Sequence, residues 1–284
     1  MTSRARSSLA TGAIVLTIAI AAACTHIPSI AAGALLRPAR RPVAEPPPAG
    51  CIDVAFTDSG LTLRGWRCAA IETRRGAVVF LHGVADNRTG VAGAVRRFTA
   101  RGLDVIAYDS RAHGESDGED CTYGYYEKAD LRRVLNTLPP GPIALIGTSL
   151  GAAVAVQAAA EDPRITTVVA AEIFSDLRTV ARERGPFFLP EGTVRAALAL
   201  AGKRGGFEVD AVSPVTAAAL VSIPVLLIHG ADDEDTPPSH SQRVYDALRG
   251  PKQLILVDGA GHNESLGRGA TWLEIERWIE KEMN

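Results

Sequence analysis

Six short runs dominate the chain: GAVVFLHG (76–83), LDVIAYDS (103–110), PIALIGTS (142–149), ITTVVAAE (165–172), PVLLIHG (224–230) and KQLILVDG (252–259). They are rich in β-branched residues and lack the apolar/polar alternation of a half-exposed strand, so they read as strands buried on both faces of a parallel sheet. Between them lie helical stretches at 91–101, 125–137, 150–161, 239–249 and 270–282, the last with an apolar stripe of Trp272, Ile275 and Ile279 beside Trp278. Strands alternating with helices of this length demand right-handed crossovers and helices on both faces of the sheet. The alternation breaks at 177–221, which has helical pieces, prolines and no convincing strand. An insertion this late in an α/β chain reads as a lid over a site or a long surface excursion.

With 284 residues, 46% hydrophobic and 22% charged, the chain suits one well-buried core. A formal net charge of −2 offers no basic field to recruit nucleic acid, which leaves small-molecule or protein partners. The first fifty residues read differently. Arg4 and Arg6 precede LATGAIVLTIAIAAAC, an apolar run suited to the core of an export signal, and Ala21, Ala22 and Ala23 lead into Cys24. That arrangement resembles a bacterial lipoprotein signal, with Ala21 where leucine is usual, and it implies lipidation at Cys24 and attachment to the cell envelope. Cleavage near Ala23 or an uncleaved anchor are the alternatives. Residues 1–23 are thus expected to be a signal or anchor, 24–50 a Pro-rich tether with RPARRPVAEPPPAG at its end, and 51–284 the folded domain.

That domain opens on two extended runs joined at Asp58-Ser59-Gly60, a β-hairpin by its turn chemistry. Folding back there brings Cys51 nearly opposite Cys68, so in an exported chain the two are candidates for a disulfide, and Cys121 is left unpaired. No Cys-x-x-Cys or His/Cys spacing suggests zinc, and no cofactor is called for.

The chemistry centres on Gly147-Thr148-Ser149-Leu150-Gly151, between an apolar strand and an alanine-rich helix. Gly-x-Ser-x-Gly in that context is a nucleophile elbow, with the serine in a strained turn and the following helix aiming free N–H groups at it. The serine needs a base, and the base an orienting acid; in the fold that carries such an elbow these follow the serine in the order acid, then histidine, on loops after later strands. His262 occupies such a loop after the last strand. Of the other histidines, His82 and His229 sit at strand ends, where structural imidazoles are commoner, His113 lies in DSRAHGES, His240 begins a surface helix and His26 is in the leader or tether. The acid is one of Asp232, Asp233, Glu234 and Asp235.

The chain resembles the α/β-hydrolase superfamily, in a bacterial serine-aminopeptidase-like or lysophospholipase-like branch. HGADDEDTP matches the family's acid loop and selects Asp233, with Asp235 next and Asp232 and Glu234 left as solvated loop residues. VVFLHGVADNR is similar to its oxyanion loop, which implies the backbone N–H groups of Val84 and Leu150 as the two donors. DSRAHGES carries Ala112 where the family usually has glycine, and CTYGYYEKADL resembles the start of the next helix. The resemblance implies a serine hydrolase acting on a carboxylic ester or thioester of a small molecule or lipid through Ser149, His262 and Asp233. A peptidase or amidase using the same triad and a non-catalytic binding protein are the rival readings. Metal catalysis on the acidic loop would leave the serine elbow unexplained.

Overall fold

The computed structural model describes residues 26–283. Cys24, the expected lipidation site, and the expected signal at 1–23 lie outside the described residues. Eight strands form one sheet in the order β1-β2-β4-β3-β5-β6-β7-β8. Strands β1 (Cys51–Asp58) and β2 (Leu61–Cys68) are the predicted antiparallel hairpin, which joins β4 (Leu103–Tyr108) antiparallel. From β4 onward β3 (Gly76–Leu81), β5 (Ile143–Thr148), β6 (Ile165–Ala171), β7 (Val225–Gly230) and β8 (Lys252–Val257) pair in parallel. Cys51 and Cys68 are cross-strand partners joined by a disulfide, and Cys121 is a buried free thiol.

Because side chains alternate across a strand, each apolar run supplies two cores at once. Val79, Leu145, Val168 and Leu227 pack on one face, beneath α3 (Glu127–Leu135) and α4 (Leu150–Ala159). Val78, Phe80, Ile146 and Ile228 pack on the other with Phe98 of α2 (Val95–Thr99) and Ile275, Trp278 and Ile279 of α9 (Gly269–Glu282). Burial on both sides is why these strands carry no polar alternation. The insertion at 177–221 folds into α5 (Leu177–Glu183), α6 (Glu191–Gly205) and α7 (Pro214–Ala218), after which α8 (Ser239–Ala247) follows β7.

The region expected to be a tether is packed on the domain instead. Residues 26–36 form helix α1, whose Ala32 and Leu36 are buried in the core beneath the insertion. The Leu36 carbonyl accepts from Cys121 N–H at 2.7 Å. Arg40 donates to the Ser116 carbonyl at 2.7 Å and also to that of Gly118, and Asn87 donates to the carbonyls of Arg41 and Pro42. The proline-rich composition argued for reach, but backbone carbonyls of an extended segment are good acceptors and are used here as such. Among the described residues no helix is long and apolar enough to cross a membrane.

The DSRAHGES segment is built around a buried anion. Asp109 accepts from Arg88 N–H at 2.8 Å and Glu115 N–H at 2.9 Å and is paired with the Arg88 guanidinium. Ala112, where the resemblance led to an expectation of glycine, adopts a φ of 61°, a left-handed conformation that costs a side-chain-bearing residue about 1 kcal/mol. His113 is buried against His82, its Nδ1–H donating to the Arg111 carbonyl at 2.8 Å.

Two predictions follow from this packing. Leu36→Ala is expected to lower the unfolding free energy by about 2 to 4 kcal/mol, as for other buried leucines, whereas a free tether would show no change in chemical denaturation. Burial, and then the neighbouring His82, lower the His113 pKa to about 4. Its folded pKa lies below the unfolded value, so its stabilisation is fully present above pH about 6.5 and is lost as pH falls towards 4, by at most about 3 kcal/mol. Urea midpoints measured across that window should fall on acidification, and less steeply in His113→Gln.

Candidate active site

Two glycines decide where the serine sits. A Cβ on Gly147 would stand 2.3 Å from the Gly151 carbonyl oxygen, and one on Gly151 would stand 2.1 Å from that of Leu81. Only bare backbone lets β5, β3 and the start of α4 approach this closely. The turn is completed by Ser149, with φ 50° and ψ −107°, its N–H donating to the Ala171 carbonyl at 2.8 Å. A non-glycine residue in such a region costs on the order of 1 to 3 kcal/mol, strain that the packed turn sustains. The Ser149 hydroxyl makes no capping bond to α4 and instead meets His262, with Oγ 3.1 Å from Nε2.

His262 lies on the loop after β8, where Gly261 N–H donates to Glu264 and Ser265 N–H donates to buried Glu172 Oε1 at 3.1 Å. Glu172, at the end of β6 with a φ of 53°, thereby ties the histidine loop to the sheet. Sequence reasoning passed over this residue, although a lone acid closing an apolar strand was a usable signal. Nδ1 of His262 lies 2.7 Å from Asp233 Oδ2. Asp233 is buried, while Asp232, Glu234 and Asp235 are exposed, so among the acids of this loop Asp233 is the one that meets the imidazole.

Burial alone would push the Asp233 carboxyl up, but hydrogen bonds from His229, His262 and Thr236 N–H together hold it well below the usual carboxylate range. It is therefore an anion at any physiological pH. His229, read from sequence as structural, is more closely involved: its Nε2 lies 2.7 Å from the Thr236 carbonyl and 3.2 Å from Asp233 Oδ2, and its Nδ1 is 2.6 Å from Ser241 Oγ. With acceptors at Nε2, the proton sits there and Nδ1 accepts from the hydroxyl.

The loop after β3 is set by His82. Burial lowers its pKa, so it is neutral, with Nε2 accepting from Ser110 N–H at 2.9 Å and Nδ1–H donating to the Gly83 carbonyl at 2.7 Å. Carbonyl and N–H of one trans peptide point in opposite directions, so anchoring this carbonyl fixes the Val84 N–H. Val84 and Leu150 both line the cavity above Ser149.

That cavity has a volume of about 240 Å³ and an apolar wall. Leu177, Val180, Leu189 and Leu198 of the insertion form much of it, and Ala31 and Leu35 of α1 close it. Phe187 and Phe188, in the loop between α5 and α6, are 93% and 72% exposed and meet edge to face outside it. His240, expected on a surface helix, is buried, its Nδ1 accepting from Ser175 N–H at 3.0 Å and its Nε2 2.7 Å from Glu183 at the end of α5. It fastens the insertion to the acid-bearing side of the sheet. Among the described residues no group of three or more His, Cys, Asp or Glu side chains is arranged to hold a metal.

Known proteins agree with this architecture. The chain is 31% identical over 213 residues to the uncharacterized protein YqkD of Bacillus subtilis, covering 72% of this chain and 70% of that one. It is 32% identical over 224 residues to the uncharacterized protein Rv2307c of Mycobacterium tuberculosis, covering 76% and 74%. Its fold is similar to that of the Pyrococcus furiosus esterase Pf2001, with a TM-score of 0.71 and 23% identity over 87% of this chain and all of that one (100%). It is similar also to Est1E from Butyrivibrio proteoclasticus, bound to ferulic acid, with a TM-score of 0.65 and 17% identity over 81% and 99%. Residues 78–269, from β3 to the start of α9, match the alpha/beta hydrolase family, and the chain belongs to that family.

Proposed function

We propose that this protein is a serine hydrolase that cleaves carboxylic esters, thioesters included, through an acyl-enzyme on Ser149. The observation that carries the reading is the continuous chain from Ser149 Oγ to His262 Nε2 at 3.1 Å and from His262 Nδ1 to Asp233 Oδ2 at 2.7 Å, at the floor of an apolar cavity.

An anionic Asp233 holds the imidazole proton on Nδ1, which leaves the Nε2 lone pair for the Ser149 hydroxyl. As Oγ attacks the acyl carbonyl, its proton passes to Nε2 and Asp233 stabilises the resulting imidazolium. The carbonyl oxygen becomes an oxyanion, received by the N–H groups of Val84 and Leu150, each worth about 3 kcal/mol in the transition state. The bond to the leaving oxygen breaks as Nε2–H protonates that oxygen. Water then repeats the sequence on the acyl-enzyme, releasing the acid and regenerating Ser149.

The cavity wall favours esters over peptides. An aminopeptidase must hold a protonated amine, and among the described residues that line this cavity there is no carboxylate. The cavity of about 240 Å³ with its apolar wall suits a medium-length acyl group.

A fluorophosphonate probe is expected to label the wild-type protein at Ser149 and to leave Ser149→Ala unlabelled. Hydrolysis of p-nitrophenyl butyrate should fall by about a millionfold in Ser149→Ala and His262→Ala, and by about ten-thousandfold in Asp233→Asn, where the wrong tautomer is favoured. Ester turnover should exceed that of aminoacyl anilides. Undiminished ester hydrolysis by His262→Ala would sink the proposal.

A further inference from the structure

The cavity above Ser149 has one charged group in its lining, and that group is placed oddly. Arg184, which follows the last residue of α5, extends its guanidinium over the acid loop. Its Nε donates to the Asp235 carbonyl and to Thr236 Oγ1, both at 3.1 Å, and its Nη2 donates to Thr236 Oγ1 at 2.7 Å. The same Nη2 lies 2.8 Å from His262 Nε2. Nε2 has a single in-plane lone pair when the proton is on Nδ1, so Arg184 and the Ser149 hydroxyl, at 3.1 Å, share one acceptor. The shorter contact is the arginine's.

No carboxylate among the described residues pairs with this guanidinium, and its Nη1 donors have no partner among them either. Its neighbours are otherwise fixed: Glu183 is held by His240 at 2.7 Å and by Arg243 at 3.4 Å. The two N–H donors of Nη1, left open beside an apolar cavity, are suited to a charge-assisted bond to an anion's oxygen.

Which half of the substrate would carry the anion follows from the chemistry of Nε2. That atom must deliver its proton to the leaving oxygen, so a group in contact with Nε2 borders the alcohol portion of the ester and not the acyl chain. The acyl chain has the apolar wall of α5, α6 and α1. Resting on the ester-hydrolase reading above, we propose that Arg184 is a specificity-determining residue that selects esters whose alcohol carries an anion, a phosphate or carboxylate, within a few bonds of the ester oxygen. The anion draws the guanidinium off Nε2 on binding and frees the lone pair for Ser149. The substrate class is an anionic amphiphile with a medium acyl tail, and an uncharged ester meets a partly occupied base.

The test compares three esters of one acyl group on the full-length protein: octanoylglycerol, octanoylglycerol phosphate and octanoyl-lactate. The kcat/KM for the phosphate or the carboxylate ester should exceed that of the neutral one by roughly tenfold or more, the scale of a hydrogen bond to a charged group, and the better of the two identifies the anion. In Arg184→Gln the anionic preference should collapse towards unity while turnover of the neutral ester rises about two- to threefold, because Nε2 gains its lone pair outright. Arg184→Lys should restore part of the preference. Wild-type protein that shows no preference, a preference that survives in Arg184→Gln, or equal loss on all three esters with fluorophosphonate labelling of Ser149 intact would overturn the role of Arg184 and leave the hydrolase reading standing. Absence of turnover on every ester, with Ser149 unlabelled, would remove both.

Discussion

Everything at this site depends on how closely three backbones meet at Ser149. The turn from β5 into α4 places its serine at a φ of 50°, where side-chain-bearing residues are strained, and the glycines on either side touch carbonyls that any Cβ would strike. That crowding leaves the hydroxyl at the carboxyl edge of the sheet, where loops after later strands converge. Relaxing either glycine would separate β5 from α4 and remove the serine from reach of His262 with Ser149, His262 and Asp233 themselves unchanged.

The partners are held with comparable redundancy. Asp233 receives hydrogen bonds from Thr236, His262 and His229, and the histidine loop is tied back through Ser265 to buried Glu172. A buried carboxylate with that many donors costs less to keep charged than to neutralise, which fixes the imidazole tautomer by electrostatics as well as geometry. The insertion is anchored through His240 and Glu183, so the wall of the cavity and the edge of the acid loop are one mechanical unit.

The sheet was legible in the sequence because its central strands are buried on both faces and so appear as unbroken apolar runs. The serine elbow was legible because close packing demands glycine at fixed positions, and the candidate acid and base because they close successive strands. What escaped detection depends on contacts far apart in the chain. Helix α1 falls in the stretch that reads as a Pro-rich tether, and only the fold reveals that Ala32 and Leu36 fill the core while Ala31 and Leu35 close the cavity. Arg184 is one arginine in a run of charged residues, and its partner His262 is 78 positions away. His240 looked like the exposed start of a helix because its buried partner, Ser175, belongs to a distant loop. Phe187 and Phe188 are apolar yet face outward, since hydrophobicity alone does not say which way a loop turns.

The central claim is that an acyl group passes covalently through Ser149. Rapid quenching of the protein during turnover of an octanoyl ester, followed by peptide mass spectrometry, tests it most directly. The account predicts an octanoyl adduct on the peptide containing Ser149, accumulating within the first turnover and absent in Ser149→Ala. Steady ester hydrolysis with no adduct on that peptide, or with the adduct on another residue, would contradict it.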